Sequence, residues 1–217
     1  MKINSFSKTY GDRLVLSLPD IEIKNGAVCA VIGANGSGKS TLARILSGNE
    51  VTDSNASPLS DVAVGYMPQK SFAFRMSVRN NLLLNGSDTS RADALMRSMG
   101  ILPLAEKKAH RLSGGETARM ALCRLLMRKY ELLILDEPTA AMDMESTALS
   151  EKLIETYRRE TGCTVILITH SLQQAKRMAD EVLFLDQGRL CEFGDAKKLL
   201  FTPQTEELKK FLDFYGA

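Results

Sequence analysis

Residues 33–40 of the chain read G-A-N-G-S-G-K-S, an instance of the pattern G-x-x-x-x-G-K-[ST], between an apolar run at 27–32 and a helix-compatible stretch at 41–47. No other feature constrains the fold as much, because this pattern requires a strand before it and a helix after it. The glycines let the backbone curl until successive N–H groups point inward at phosphate oxygens, and the helix adds the positive end of its dipole. Gly33, Asn35, Gly36, Ser37, Gly38 and Thr41 then belong to a phosphate cradle. Lys39 is placed to neutralise the β and γ phosphates and Ser40 to ligate Mg2+. The implied ligand is a nucleoside triphosphate.

A second apolar run, 132–135, ends in Asp136 and Glu137 followed by Pro138. Parallel α/β sheets gather ligands at such strand ends. Asp136 is the candidate for holding Mg2+ through water, and Glu137 for polarising the attacking water in an in-line hydrolysis. Alone, the pair is equally an acidic strand end facing solvent. Together with the phosphate loop, it reads as the metal and water side of one site.

Further strand-length runs at 14–18, 62–66, 165–168 and 182–185, several followed by helix-compatible stretches, indicate an α/β fold. The runs at 132–135 and 165–168 are continuous, as central parallel strands covered on both faces require. Ile21 and Ile23 instead alternate with Glu22 and Lys24, which predicts a half-exposed antiparallel strand and so a mixed sheet. From about 70 to 125 the periodicity turns helical, with turn residues at 85–88 and breakers at Gly100 and Pro103, so a helical insertion is expected. The polar stretch 51–61 reads as a surface loop. The roughly helical spacing of Leu199, Leu200, Phe201, Leu208, Phe211, Leu212 and Phe214 predicts a tail, 196–215, that packs back on the domain.

Composition narrows the alternatives. With 217 residues and 44% hydrophobic content the chain supports one core of catalytic size, expected to span 1–217. Its 28 Lys+Arg against 26 Asp+Glu are interspersed and leave no basic stripe, so no nucleic-acid partner is expected. No apolar run reaches membrane-spanning length, and residues 1–10 lack the apolar segment of a secretory signal. Cys29, Cys123, Cys163 and Cys191 are widely spaced with no C-x-x-C pair, which favours reduced, structural thiols.

Between the two phosphate motifs lies L-S-G-G-E at 112–116. Ser113, Gly114 and Gly115 open a helix and so create a second anion-seeking N-terminus. In isolation this is an ordinary capped helix start. In this order and spacing the chain resembles the ATP-binding subunit of ABC transporters, over essentially its whole length. The resemblance implies a P-loop NTPase core with a mixed sheet, an antiparallel β subdomain and an inserted α-helical subdomain at about 70–125. It implies ATP and Mg2+ as ligands. Ser113, Gly114, Gly115 and Glu116 would address the γ-phosphate held by a second ATPase subunit, making a homodimer with two shared sites. Gln69 matches the glutamine loop that senses Mg2+ and the water, His170 the switch histidine at the γ-phosphate, and Tyr10 the aromatic that stacks on adenine. Asp143 matches the aspartate loop, although Ala140 and Met142 depart from the commoner Ser and Leu. His110 matches no functional position.

The resemblance further implies transmembrane permease subunits, whose short helix would lie against Phe72, Phe74 and Met76, and a position on the cytoplasmic face of the membrane. Length disfavours translation factors with two cassettes and repair ATPases with coiled-coil arms. The segments at 171–180 and 205–216 look like importer subunits for oxyanions such as tungstate or phosphate, served indirectly by an extracytoplasmic solute-binding protein. An exporter, an amino-acid importer or a soluble ABC ATPase are the alternatives. The chain ends at Ala217 without the regulatory domain of some sugar and molybdate importers, so no such feedback is expected.

Overall fold

The computed structural model describes residues 1–215. The chain runs through β1 (Lys2–Ile3), β2 (Phe6–Tyr10), β3 (Arg13–Leu18), β4 (Ile21–Glu22), β5 (Val28–Ile32), α1 (Lys39–Leu46) and β6 (Val64–Met67). Three helices follow: α2 (Val78–Leu83), α3 (Thr89–Ser98) and α4 (Gly114–Leu125). Next come β7 (Leu132–Asp136), α5 (Met144–Thr161), β8 (Thr164–Ile168), α6 (Leu172–Met178), β9 (Glu181–Asp186) and β10 (Arg189–Asp195). The helices α7 (Ala196–Phe201) and α8 (Glu206–Tyr215) complete the order.

Eight strands form one sheet in the order β2-β3-β10-β9-β5-β8-β7-β6, while β1 and β4 make a small antiparallel pair. The five strands from β9 to β6 are parallel, and β5, β7 and β8 are buried at every position. Their uninterrupted apolar sequences suit a sheet covered on both faces. β2–β3 and β9–β10 pair antiparallel, so the sheet is mixed as expected. The expected antiparallel strand at Ile21 is β4, and the helical insertion is the α2–α4 segment between β6 and β7.

Register explains the position of the site. Val31 of β5 and Asp136 of β7 both pair with Ile168 of β8, so three adjacent strands end level with one another. The loops that leave them start at Gly33, Glu137 and Thr169, and β6 delivers Gln69 from the next strand along. One core packs α2–α5 against one sheet face, through Leu133, Leu135, Val165 and Leu167. The opposite face holds α1, and a third cluster seats α6, α7 and α8, with Leu199, Leu200, Leu208 and Phe211 buried and Leu212 partly so, whereas Phe201 and Phe214 of the expected packing face are exposed. The stretch 51–61 is more than surface: Thr52 and Leu59 are buried, and Asp53 accepts hydrogen bonds from Ser7 and Thr9.

No helix among the described residues is long and apolar enough to cross a membrane. Cys29, Cys123, Cys163 and Cys191 are all free, and burial pushes the first three thiols up, Cys163 to about 11. Thiols so placed stay protonated and inert at neutral pH.

Tyr157 ties α5 to the approach of β7, accepting from the Tyr130 N–H (3.0 Å) and donating to the Arg128 carbonyl (2.9 Å). Tyr157→Phe leaves both backbone groups without that partner and is expected to cost about 1–3 kcal/mol. Urea unfolding measures it, and an unchanged midpoint would show that water replaces the hydroxyl at no cost.

Candidate functional site

The phosphate loop leaves β5 in a conformation that only glycine fits. Gly33 has φ 149°, and a Cβ there would lie 2.2 Å from the Leu185 carbonyl oxygen and 2.7 Å from Ser37 Oγ. Gly38 (φ 102°) turns the chain into α1. Lys39, the first residue of α1, is buried and donates from Nζ to the carbonyls of Gly33 and Ala34, both at 2.8 Å. Burial lowers its pKa, and the carboxylates of Glu137 and Asp136 oppose that shift. The lysine is therefore poised inside its own loop, facing the acids of β7.

Asp136 closes β7 and is only 3% exposed. Its Oδ1 is buried without a hydrogen-bond partner. Desolvation raises its pKa, with the Ser40 hydroxyl and Lys39 pulling the other way. A buried, unpartnered carboxylate oxygen beside a serine hydroxyl is a hard-oxygen donor set, and it fits a Mg2+ ion.

Glu137, one residue on, has φ 50° and donates its N–H to the Ile168 carbonyl at 2.9 Å. This left-handed turn aims its carboxylate away from the sheet, where two side chains hold it. Gln69 Nε2 donates to Oε2 at 2.9 Å, and His170 Nε2 lies 2.7 Å from Oε1. Three residues singled out from sequence thus meet at one carboxylate. They border a cavity of about 220 Å3 together with Asn35, Lys39 and Ser40.

A neighbouring cavity of about 740 Å3 extends from the phosphate loop to the β2–β3 hairpin and is lined by Arg13, Leu14, Val15, Gln187 and Gly188. None of these five was singled out from sequence, because none carries a motif. Tyr10 stands exposed at the end of β2 with Lys8 Nζ 5.0 Å from its ring centroid, and it is not part of that lining.

Ser113 caps α4 through a capping box: its hydroxyl accepts from the Glu116 N–H, and Glu116 Oε2 accepts from the Ser113 N–H at 2.7 Å. That backbone bond holds the Glu116 carboxyl below its ordinary range. A Cβ on Gly115 would lie 2.9 Å from the Ala141 carbonyl, so the start of α4 rests on the loop leading out of Glu137. Asp143 caps α5 through the Ser146 N–H at 2.7 Å, which lowers its pKa. Neither segment lines the two cavities beside the phosphate loop.

On the helical insertion, Phe72 (52% exposed) and Phe74 (42%) flank a groove of about 550 Å3, to which Met76, Leu84 and Tyr130 contribute. The Arg124 guanidinium lies 4.7 Å and 5.2 Å from the two ring centroids and donates to Asn81 Oδ1 at 3.1 Å.

A family model described as "ABC transporter" matches residues 16–140. The tungstate uptake system ATP-binding protein TupC of Peptoclostridium acidaminophilum is 38% identical over 205 residues, covering 88% of this chain and 96% of that protein. The zinc import ATP-binding protein ZnuC of Alcanivorax borkumensis is 36% identical, covering 95% and 82%. The arginine transport ATP-binding protein ArtM of Bacillus subtilis is 30% identical, covering 98% of both. Among solved structures, an ATP-bound bacterial Atm1-family ABC exporter superposes with a TM-score of 0.86 at 25% identity; it covers this whole chain, which spans 42% of that one.

Because burial lifts the Asp136 carboxyl above its unfolded value, ionisation weakens the fold, and stability falls as pH rises from the ordinary carboxylate value through the folded one. Asp136→Asn is therefore expected to melt higher than the parent above neutral pH in metal-free buffer. The gap should close as pH approaches about 3.9. Melting curves across pH check this, and a variant that melts lower throughout would contradict it.

Proposed function

This chain belongs to the ABC transporter family, and from that premise we propose that it is the ATP-hydrolysing subunit of an importer, working as one of a pair beneath separate membrane subunits. The observation that carries the reading is the hold on Glu137 by Gln69 and His170 beside the phosphate loop. A carboxylate so placed is a general base for water attacking the γ-phosphate, once nucleotide draws one of its two donors away. Lys39 exchanges the Gly33 and Ala34 carbonyls for phosphate oxygens, since an ammonium gains more from an anion than from a neutral acceptor. Gly33, Asn35, Gly36, Ser37, Gly38 and Thr41 enclose the phosphates with backbone and side-chain donors, and Tyr10 takes the adenine. Ser40 and Asp136 hold Mg2+, which neutralises phosphate charge when bound.

Ser113, Gly114, Gly115, Glu116 and Asp143 serve the nucleotide of a second copy, which fits their absence from the cavities of their own chain. The helical insertion at about 70–125 is the part of this one ATPase domain that receives a permease helix, in the groove of Phe72, Phe74 and Met76. The assembly sits at the cytoplasmic face of the membrane. Similarity to a tungstate uptake protein over 96% of that protein's length supports an oxyanion as cargo, supplied by an extracytoplasmic binding protein. An amino-acid importer is the second reading, favoured by the end-to-end match to an arginine transport protein.

Glu137→Gln is expected to keep ATP affinity and lose turnover about a hundredfold or more; a variant that hydrolyses at the parent rate removes the base assignment. Lys39→Ala should weaken ATP binding itself, and equilibrium binding with unchanged affinity would refute its role. For function, tagged Glu137→Gln is purified with ATP from native membranes. Recovery of a multi-span subunit with an oxyanion-binding protein supports the importer. Recovery of ribosomes, DNA or a soluble factor overturns transport while leaving the ATPase.

A further inference from the structure

Gln174 is 2% exposed on α6, one turn beyond His170. Its side-chain Nε2 donates to Thr139 Oγ1 at 3.1 Å and to Glu151 Oε1 at 3.2 Å. Thr139 lies in the loop that leaves Glu137, and Glu151 lies on α5, the helix this loop feeds. One buried amide therefore joins the helix behind His170, the loop behind Glu137 and α5. Arg177, one turn further along α6, grips the same Glu151 through Nε at 2.9 Å and Nη2 at 2.7 Å.

The two neighbours of His170 are braced as well. Thr169 Oγ1 accepts from the Ser171 N–H at 3.0 Å, and Ser171 Oγ accepts from the Gln174 N–H at 3.1 Å. An apolar side chain would occupy the Gln174 position without the cost of desolvating an amide, so packing alone does not account for a glutamine there. What the amide adds is direction. Glu137 occupies φ 50°, which a residue with a side chain keeps only where its surroundings over-determine it. The backbone restraints on that turn are few: Glu137 N–H to the Ile168 carbonyl (2.9 Å), Ala140 N–H to the Glu137 carbonyl (3.2 Å) and Met142 N–H to the Thr139 carbonyl (2.9 Å). The bond from Gln174 to Thr139 is a side-chain restraint from α6, the helix that follows His170.

We propose that Gln174 is a positioning residue for hydrolysis: acting through Thr139 and the turn at His170, it holds the Glu137 carboxylate and the His170 imidazole in register so that the base meets its water. The proposal rests on Glu137 being the base. Gln174 lines neither cavity beside the phosphate loop, so it acts on the chemical step and not on binding.

The test is steady-state hydrolysis and equilibrium nucleotide binding by the full chain, for Gln174→Leu, Thr139→Val, their combination, Glu137→Gln, and Glu137→Gln with Gln174→Leu. Gln174→Leu is expected to lower kcat about tenfold or more, as small misplacements of a reacting group do. KM and ATP affinity should stay within about twofold. Thr139→Val, which removes the same bond from its other end, should do the same, and the double variant should be no worse than the more impaired single one. Gln174→Leu should take nothing further from the residual rate of Glu137→Gln. Parent kcat in Gln174→Leu overturns the inference, as do parallel losses of affinity and turnover or a multiplied loss in the Glu137→Gln background. Normal hydrolysis by Glu137→Gln alone is a different failure, that of the base assignment, and it is read without any Gln174 variant.

Discussion

One hydrogen bond decides the chemistry of this protein: the Glu137 N–H donating to the Ile168 carbonyl. It carries the β7–β8 ladder one residue past Asp136, which keeps Asp136 inside the sheet, and it turns the backbone over at Glu137. Two acids adjacent in sequence therefore live in different media. Asp136 is buried, pushed toward its neutral form by desolvation, and left with an oxygen seeking a partner. Glu137 is carried out to meet Gln69 and His170. The metal-ligand and base roles proposed for them call for these opposite settings, and a single peptide unit separates the two.

The same economy of position governs the phosphate side. Lys39 is held between its own loop carbonyls and the acids of β7, so its charge is balanced by near neighbours while burial works against it. The close approach of Gly33 to the Leu185 carbonyl fixes the loop against β9, so the cradle is built on a strand and does not depend on loop packing alone. Level strand ends bring these parts together from four separate stretches of chain.

Much of this was legible in the sequence, for identifiable reasons. Continuous apolar runs located β7 and β8 because strands buried on both faces need no polar alternation. The strands β2 and β10 were not legible. In β2 one of the two inward positions is Lys8, whose charge is met by Glu50 at 2.9 Å, and β10 is half-buried and irregular between Leu190 and Glu192. Motif residues announced Lys39, Asp136 and Glu137, but not the hold on Glu137, which needs a tertiary contact across 68 residues. Gln174 was silent for a related reason: on a short helix a glutamine reads as surface, and its burial and its bond to Thr139, 35 residues away, appear only in the folded chain.

The helical insertion is joined to the rest of the molecule in an unusual balance of forces. Among the described residues, the hydrogen bonds and ion pairs of 70–127 run almost wholly within that segment: Arg79 to Asp93 and Glu106, Asn85 to the Arg124 and Leu125 carbonyls, Arg119 to the Met99 carbonyl, and Lys107 to Glu116. Its contact with the sheet is instead apolar, against Leu133, Leu135, Val165 and Leu167. Directional bonds fix an orientation, whereas apolar burial is non-directional and is held by close packing. The segment is thus braced internally by directional bonds and seated on the sheet by apolar packing, with Gln69 at its root bonded to Glu137.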